Sequence, residues 1–352
     1  MTSVQDSSTA RRVVLHRQRG RGLIVALVLC TLLAAGALAG FAWHQYHRPL
    51  AMKGDRVEVR IPPGASTRTI ARLLQEAGLA VDTPSFLAAV KATEAAHNLR
   101  AGRYEFARGV SLQDIVAKLR AGEVLRERLT IVEGWTFREM RAELARNPDL
   151  RQDSAKLTPA ALLKAIGATE SHPEGLFAPD TYVFDPGSSD LDVLRQAYRS
   201  QAARMQKAWA SRAADLPLKT PYEALILASI VEKETGQGGE RARIAGVFVN
   251  RLKKGMLLQT DPTVIYGIGE KFDGNLRKRD LTTDGPYNTY MRAGLPPTPI
   301  ALPGSAALEA TLKPAAGDDL YFVARGDGTS HFSSTLDEHN RAVNKYQLKG
   351  AR

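Results

Sequence analysis

The sequence contains a single cysteine, Cys30, among 352 residues. An internal disulfide needs two cysteines, so none can form, and cysteine usage does not indicate the redox compartment. Charged residues make up 24% of the chain and hydrophobic residues 44%. This composition excludes a mainly disordered chain, and the length predicts two or more folding units.

Charge is absent from Leu23 to Trp43, where the sequence reads LIVALVLCTLLAAGALAGFAW. About 21 residues at roughly 1.5 Å each match a hydrocarbon core of about 30 Å. Arginines precede this stretch, which predicts a cytoplasmic N-terminus and an extracytoplasmic remainder. We therefore predict a basic tail over residues 1–21 and a transmembrane helix over 22–43. A cleaved signal peptide is the alternative, because Ala37-Leu38-Ala39 is an acceptable cleavage site.

The sequence also lacks patterns typical of nucleic-acid and metal binding. The net charge is +11, but no stripe of Lys and Arg alternates with aromatic residues, which argues against a nucleic-acid partner. His331 and His339 do not form a helical i, i+4 pair, so we predict neither a metal nor a cofactor. A diffuse positive surface would suit a polyanion such as a cell-wall polymer, or no partner at all.

A short pattern recurs three times after a polar linker over residues 44–55. Each copy has an apolar strand end, then a glycine, then a Ser or Thr two residues later, as in Gly64/Ser66, Gly109/Ser111 and Gly134/Thr136. Glycine adopts positive φ and Ser or Thr caps helices, so each copy predicts a strand, a turn and a helix. Chance similarity is the alternative. By analogy of fold, residues 56–128 would form a LysM-like carbohydrate-binding module.

The remaining sequence alternates helical and loop patterns with few short strands, which predicts an α+β fold. We expect an intervening helical and loop region over residues 129–216 and a catalytic domain over 217–352. The elements expected in this domain are helices at 221–235, 240–254, 305–312 and 334–346, and a strand at 320–324.

The stretch LASIVEKETG ends an otherwise apolar helix with two glutamates. Thr220 and Pro221 are typical of a helix start, and Gly236 of a helix end. Between them the residues are apolar or small on every side, which predicts a buried helix.

The first of the two glutamates, Glu232, shares a helix face with small and apolar residues, which leaves room beside its carboxyl group. Burial would raise its pKa, as a general acid requires. The alternative is a structural ion pair with Arg241 or Arg243. The second, Glu234, lies on the opposite face and is the weaker candidate, because a salt bridge or a solvated position would explain it.

Several blocks together resemble the MltG (YceG-like) family of endolytic murein transglycosylases. These blocks are EGLFAPDTYVF, LASIVEKETG, RARIAGVFVNRLKKGMLLQTDPTVIYGIG, YNTYMRAGLPPTPIALPG and LYFVARGDGTSHFSSTLDEHN. The resemblance extends from about Arg56 to Tyr346. It implies a single-pass inner-membrane protein with a LysM-like module and a periplasmic α+β catalytic domain.

The resemblance also implies the reaction. The enzyme would cleave the β-1,4 bond between N-acetylmuramic acid and N-acetylglucosamine in nascent glycan strands, leaving 1,6-anhydromuramoyl ends, with Glu232 as the catalytic acid. Peptidoglycan strands are the implied partner, and the family suggests penicillin-binding synthases as further partners. The residues expected to contact sugar are Gln259, Thr260, Asp261, Tyr266, Tyr287, Asn288, Tyr290 and Asn340.

Two other functions stay open. A hydrolytic muramidase would cleave the same bond with water and a second carboxylate, for which Asp261 is the candidate. A non-catalytic protein would instead tether peptidoglycan to the membrane. A carboxyl group buried in an apolar helix argues against the tether, because it costs stability that binding alone does not require.

Overall fold

A computed structural model of the protein describes residues 8–96, 98–234 and 237–348, with side chains described from Leu27 onward. The chain divides into two compact units, with the boundary between Leu125 and Arg126. Helices and short strands are mixed in both units, which confirms the α+β class.

The first unit consists of a long helix, then a strand, two helices and a second strand, and a last helix. Its elements are α1 (Ser8–His47), β1 (Arg56–Ile61), α2 (Thr67–Glu76), α3 (Thr83–Ala92), β2 (Gly102–Ala107) and α4 (Leu112–Ala121). β1 and β2 are antiparallel, with Arg56 opposite Ala107 and Ile61 opposite Gly102. Alternate strand residues face a core that α2, α3 and α4 complete.

α1 contains an apolar segment, Leu27–His47, that is long enough to cross a membrane and is not buried in the protein. The side chains of residues 22–26, which also belong to the expected span, lie outside those that the structure describes. The apolar segment is compatible with a single-pass anchor.

The three recurring turns are confirmed. Their glycines have positive φ, at 75° for Gly64, 93° for Gly109 and 77° for Gly134. Each helix that follows begins at the expected side-chain cap, which is Ser66, Ser111 or Thr136. The third copy belongs to the second unit, where it joins β3 (Glu127–Ile131) to α5 (Phe137–Arg146).

The second unit contains two separate two-stranded antiparallel sheets, β3 with β4 and β5 with β6. After α5 its elements are α6 (Pro159–Ile166), β4 (Asp180–Phe184), α7 (Asp190–Ala210), α8 (Pro221–Glu234), α9 (Arg241–Lys253), α10 (Asp261–Ile268), α11 (Lys278–Thr282), α12 (Ser305–Leu312), β5 (Tyr321–Ala324), β6 (Ser330–Ser333) and α13 (Leu336–Val343). A π-helical turn, Asn344–Leu348, follows α13. The sequence pattern did not predict α10, α11 or β6.

α8 is the central helix of the second unit. Its residues 224–231 are all buried, as the apolar pattern predicted, and it packs against α7, α9, α10 and α12. The helix begins as expected, because the Thr220 hydroxyl accepts a hydrogen bond from the backbone N–H of Glu223 at 3.2 Å. The expected stop, Gly236, lies outside the described residues.

A buried carboxyl group, that of Glu174, links the start of α5 to α10 through hydrogen bonds. Glu174 is 3% exposed. It accepts hydrogen bonds from the Phe137 backbone N–H at 2.8 Å and the Tyr266 hydroxyl at 3.0 Å. Burial raises the pKa of Glu174 to about 7, although these two hydrogen bonds oppose the shift. The carboxyl group is therefore protonated in the folded state at mildly acidic pH.

Glu174 is expected to make stability depend on pH. Its pKa is about 7 in the folded state against an ordinary value of 4.5, so the folded state keeps a proton that the unfolded state has lost. Stability is full below the ordinary pKa and falls as pH rises to the folded pKa, by roughly 2–3 kcal/mol between pH 5 and 8. Glu174→Gln should remove this component, as measured by urea denaturation at both pH values.

The control is Glu309→Gln, which changes an exposed glutamate on α12. It should keep the pH dependence of the unmodified protein. If Glu174→Gln kept it as well, the assigned pKa of Glu174 would be incorrect.

Candidate active site

A polar pocket of about 560 Å³ lies in the second unit, between the ends of several helices and β5. Four of the eight residues expected to contact sugar line it, namely Gln259, Asp261, Tyr290 and Asn340. The Tyr290 hydroxyl donates a hydrogen bond to Asp261 Oδ1 at 2.6 Å, which joins the start of α10 to the loop that follows α11. The structure therefore brings together residues that are up to 81 positions apart in the sequence.

Glu234 is the glutamate that lines this pocket. Thr260, which is 2% exposed, donates a hydrogen bond from its hydroxyl to Glu234 Oε1. Burial raises the pKa of Glu234 and the charge of Asp261 raises it further, whereas the Thr260 hydrogen bond and Arg251 lower it. Glu234 is partly exposed and forms no ion pair with any described residue, and its raised pKa shifts it towards the protonated form.

Glu232 is not among the residues that line this pocket. Its side chain is 6% exposed. Oε2 accepts a hydrogen bond from the Gly304 backbone N–H at 2.9 Å, and Oε1 lies 3.3 Å from Arg241 Nη2. Burial raises the pKa of Glu232, while Gly304 and Arg241 oppose the shift. The ion pair with Arg241 is the structural alternative considered from the sequence.

The geometry of α8 explains why the two glutamates have different surroundings. Residues two apart on a helix are separated by about 200° around its axis. The face with Glu232 packs against the segment before α12, where the Ser229 hydroxyl accepts a hydrogen bond from the Ile300 backbone N–H at 2.9 Å. The apolar face that suggested room beside Glu232 is therefore occupied by the chain itself, and the pocket lies at Glu234.

The other four expected sugar contacts do not line the pocket. One of them, Thr260, is buried and bonds Glu234. Tyr266 and Tyr287 pack edge to face, with ring centroids 4.9 Å apart. Their hydroxyl groups bond Glu174 and Thr298, respectively. Asn288 is 4% exposed, and its amide donates hydrogen bonds to three carbonyl groups of the 280–283 segment. In the structure Tyr266, Tyr287 and Asn288 therefore bond other parts of the protein and do not line the pocket.

Other residues that line the pocket were not expected from the sequence, among them Arg251, Tyr321 and His339. Tyr321 and His339 stack, with ring centroids 5.1 Å apart. His339 had been considered only as a metal ligand, although it directly precedes Asn340 in the DEHN block. In the described parts of the chain, no three His, Cys, Asp or Glu side chains are arranged to hold a metal ion.

The sequence model of the YceG-like family matches residues 59–345. The chain belongs to the YceG-like family. An endolytic murein transglycosylase of Bacillus subtilis (strain 168) is 34% identical over 307 residues, covering 82% of this chain and 84% of that protein. One from Streptococcus pneumoniae (serotype 2, strain D39) is 28% identical over 362 residues, covering 91% of this chain and 64% of that protein.

A solved structure supports the same assignment. The crystal structure of a putative YceG-like protein from Listeria monocytogenes is similar to this chain, with a TM-score of 0.53 and 32% sequence identity. The similarity covers 82% of this chain and 98% of that one.

One pocket residue of this YceG-like chain has a strained backbone. Gln259 has φ at 50°, and only one other described residue besides glycine has positive φ. Its backbone N–H donates a hydrogen bond to the Thr289 carbonyl at 3.1 Å, which holds this conformation. A left-handed conformation costs a residue with Cβ about 1–2 kcal/mol. Because such strain often occurs at functional sites, it supports a functional role for this pocket.

Gln259→Gly should be more stable than Gln259→Ala by about 1 kcal/mol, because glycine adopts positive φ without strain. Both variants remove the amide side chain, so the comparison isolates the backbone. Urea denaturation of the two variants measures the difference. Equal stability, or greater stability of the alanine variant, would contradict the left-handed conformation.

Proposed function

We propose that the protein is a membrane-anchored endolytic transglycosylase. It cleaves the β-1,4 bond between N-acetylmuramic acid and N-acetylglucosamine in murein strands and leaves 1,6-anhydromuramoyl ends. The observation that carries this proposal is a carboxyl group with a raised pKa in a polar pocket of a chain whose relatives are named endolytic murein transglycosylases. Termination of strand elongation is the expected consequence.

Glu234 is the proposed catalytic residue, in place of Glu232. A general acid must reach the glycosidic oxygen and must hold a proton near neutral pH. Glu234 lines the pocket and has a raised pKa, whereas both oxygens of Glu232 are engaged by Gly304 and Arg241. The geometry therefore favours the second glutamate of VEKE.

One carboxyl group suffices for the reaction. Glu234 donates its proton to the leaving glycosidic oxygen as the bond to C1 breaks. The carboxylate that results accepts the proton of the muramoyl C6 hydroxyl as that oxygen bonds to C1, so no water is consumed. The Thr260 hydroxyl, which donates to Oε1, holds the carboxyl group in place and leaves Oε2 to carry the proton.

The muramidase alternative keeps some support, because Asp261 lines the same pocket as Glu234. A second carboxylate could activate water on the opposite face of the sugar. Its Oδ1 already accepts a hydrogen bond from the Tyr290 hydroxyl. The relatives' names favour transglycosylation, and the chemistry of the product ends distinguishes the two reactions.

The full chain in detergent micelles should convert uncrosslinked glycan strands to fragments with anhydro ends, identified by mass spectrometry. Glu234→Gln should lower the rate by about 10²–10⁴-fold, because the amide cannot donate the proton. Glu232→Gln, the matched control two residues away, should lower it less than about tenfold, since an amide oxygen can still accept from Gly304.

Each other result has a distinct meaning. Loss of activity only in Glu232→Gln would assign the acid to Glu232, as first expected from the sequence. Reducing ends would indicate hydrolysis, with Asp261 as the second carboxylate. Strands that stay intact but bound by all three proteins would indicate a tether.

We also propose that the chain is anchored in the inner membrane, with residues 1–21 in the cytoplasm and the second unit in the periplasm. The exposed apolar segment Leu27–His47 and the arginines before it support this topology. Penicillin-binding synthases remain proposed partners on the basis of the family resemblance.

Residues 56–128 are proposed to act as a LysM-like module that holds glycan near the catalytic unit. The support is the order of elements after α1, a strand, two helices and a strand that pairs with the first. The remaining boundaries, 44–55 for a linker, 129–216 for an intervening region and 217–352 for the catalytic domain, are retained as proposals.

Two deletions, each made in the Glu234→Gln variant, separate membrane anchoring from glycan binding in sedimentation assays. Removal of residues 1–47 should release the chain from membrane vesicles but leave its binding to insoluble peptidoglycan. Removal of residues 1–125 should also lower that binding. Membrane retention after the first deletion would contradict the anchor, and unchanged glycan binding after the second would contradict the module.

A further inference from the structure

The wall of the pocket contains a buried guanidinium group. Arg251, on α9, is 8% exposed. Its Nε donates a hydrogen bond to the Leu320 carbonyl at 2.7 Å, and Nη1 donates to the carbonyls of Leu258 at 2.8 Å and Leu257 at 3.2 Å. Backbone carbonyls from two segments therefore fix the group in one orientation.

The positive charge of Arg251 has no ion-pair partner in the described parts of the chain. Its hydrogen bonds go to carbonyl oxygens and, at 3.4 Å, to the amide oxygen of Gln259. Glu234 is close enough to interact electrostatically, but its raised pKa favours the neutral form. A buried charge without a compensating charge is costly, so a ligand that supplies an acceptor would relieve the cost.

One nitrogen of the group remains for such a ligand. Nη2 makes no hydrogen bond with any described residue, whereas Nε and Nη1 are both engaged. Arg251 lines the pocket together with Tyr321, whose ring lies 5.1 Å from the Arg251 Cζ atom. The guanidinium group lies over this ring in a cation–π contact, and His339 stacks with the same ring.

The chemistry of the pocket limits the acceptor. A carboxylate would bring negative charge close to Asp261, which destabilises it there. An amide carbonyl accepts strongly from a guanidinium without adding charge. The 2-acetamido group of an amino sugar combines such a carbonyl with a methyl group that suits an exposed apolar side chain of the pocket, Leu336.

We propose that Arg251 binds the 2-acetamido carbonyl oxygen of a sugar residue through Nη2 and so selects N-acetylated glycan. This inference rests on the proposed function only in taking the ligand of the pocket to be a glycan. It adds the chemical group by which the pocket recognises that glycan.

Three soluble probes test the proposal with the full chain carrying Glu234→Gln, which prevents turnover. A tetramer of N-acetylglucosamine carries acetamido groups, cellotetraose carries only hydroxyls, and tetragalacturonate carries carboxylates. The N-acetylated tetramer should bind about tenfold or more tightly than cellotetraose by calorimetry, as expected for a hydrogen bond to a charged donor. It alone should shift the ¹⁵N–¹H resonance of the Arg251 Nε–H group.

Equal binding of the first two probes would overturn the proposal, as would tighter binding of tetragalacturonate. Binding of the N-acetylated tetramer without a shift of the Arg251 resonance would do so as well. These measurements require no substitution of Arg251, so they decide the question even if such a variant fails to fold.

Arg251→Lys provides a second test, because lysine keeps the charge and loses the planar fork. It should reduce the preference for the N-acetylated tetramer over cellotetraose to less than about threefold, because part of the charge-assisted hydrogen bond is lost. The matched control is Arg243→Lys, also on α9, where Arg243 pairs with Asp319 at 2.6 Å and does not line the pocket. It should keep the full preference.

The inference and the proposed function fail separately. Anhydro ends from glycan strands, together with equal binding of the N-acetylated tetramer and cellotetraose, would preserve the function and reject the role of Arg251. Preference for the N-acetylated tetramer without any strand cleavage would preserve the role of Arg251 and reject the proposed function.

Discussion

Eight consecutive residues of α8 are buried. A carboxyl group in the last turn of such a helix therefore needs hydrogen-bond partners from the segments that pack around it. The two glutamates of this turn are two positions apart, so they face different neighbours. Glu232 meets the backbone N–H of Gly304 and the guanidinium of Arg241. Glu234 meets the hydroxyl of Thr260. The helix period thus divides one acidic segment into two sites that cannot act on the same bond.

These neighbours give the two carboxyl groups different chemistry. Both pKa values are raised by burial. For Glu232, a backbone N–H at the start of α12 and a guanidinium in direct contact favour the ionised form, which suits an anchoring contact. For Glu234, the charge of Asp261 adds to burial and favours the proton. The two carboxyl groups thus have different neighbours, and such differences set the roles of paired carboxyl groups in other enzymes.

Local features of the second unit could be predicted from the sequence, whereas the position of the pocket could not. The start of α8 and the turn at Gly134 depend on residues next to one another, so capping and glycine rules were sufficient. The pocket depends on which segment covers which face of α8. The small residues beside Glu232 indicated that there is space next to its carboxyl group. They did not indicate whether a ligand or another segment of the chain fills that space. Only the packing of the 300–304 segment against Ser229 and Glu232 decides between them.

The pocket concentrates several features that lower stability. Glu234 is a buried carboxyl group, Gln259 has a left-handed backbone, and Arg251 is a buried guanidinium without an ion-pair partner among the described residues. Each lowers stability, by burying a polar or charged group or by straining the backbone. Stability alone therefore does not account for three such features at one place. A ligand that takes a proton from Glu234 and gives an acceptor to Arg251 would account for these two groups, and the left-handed backbone keeps the Gln259 amide beside Arg251.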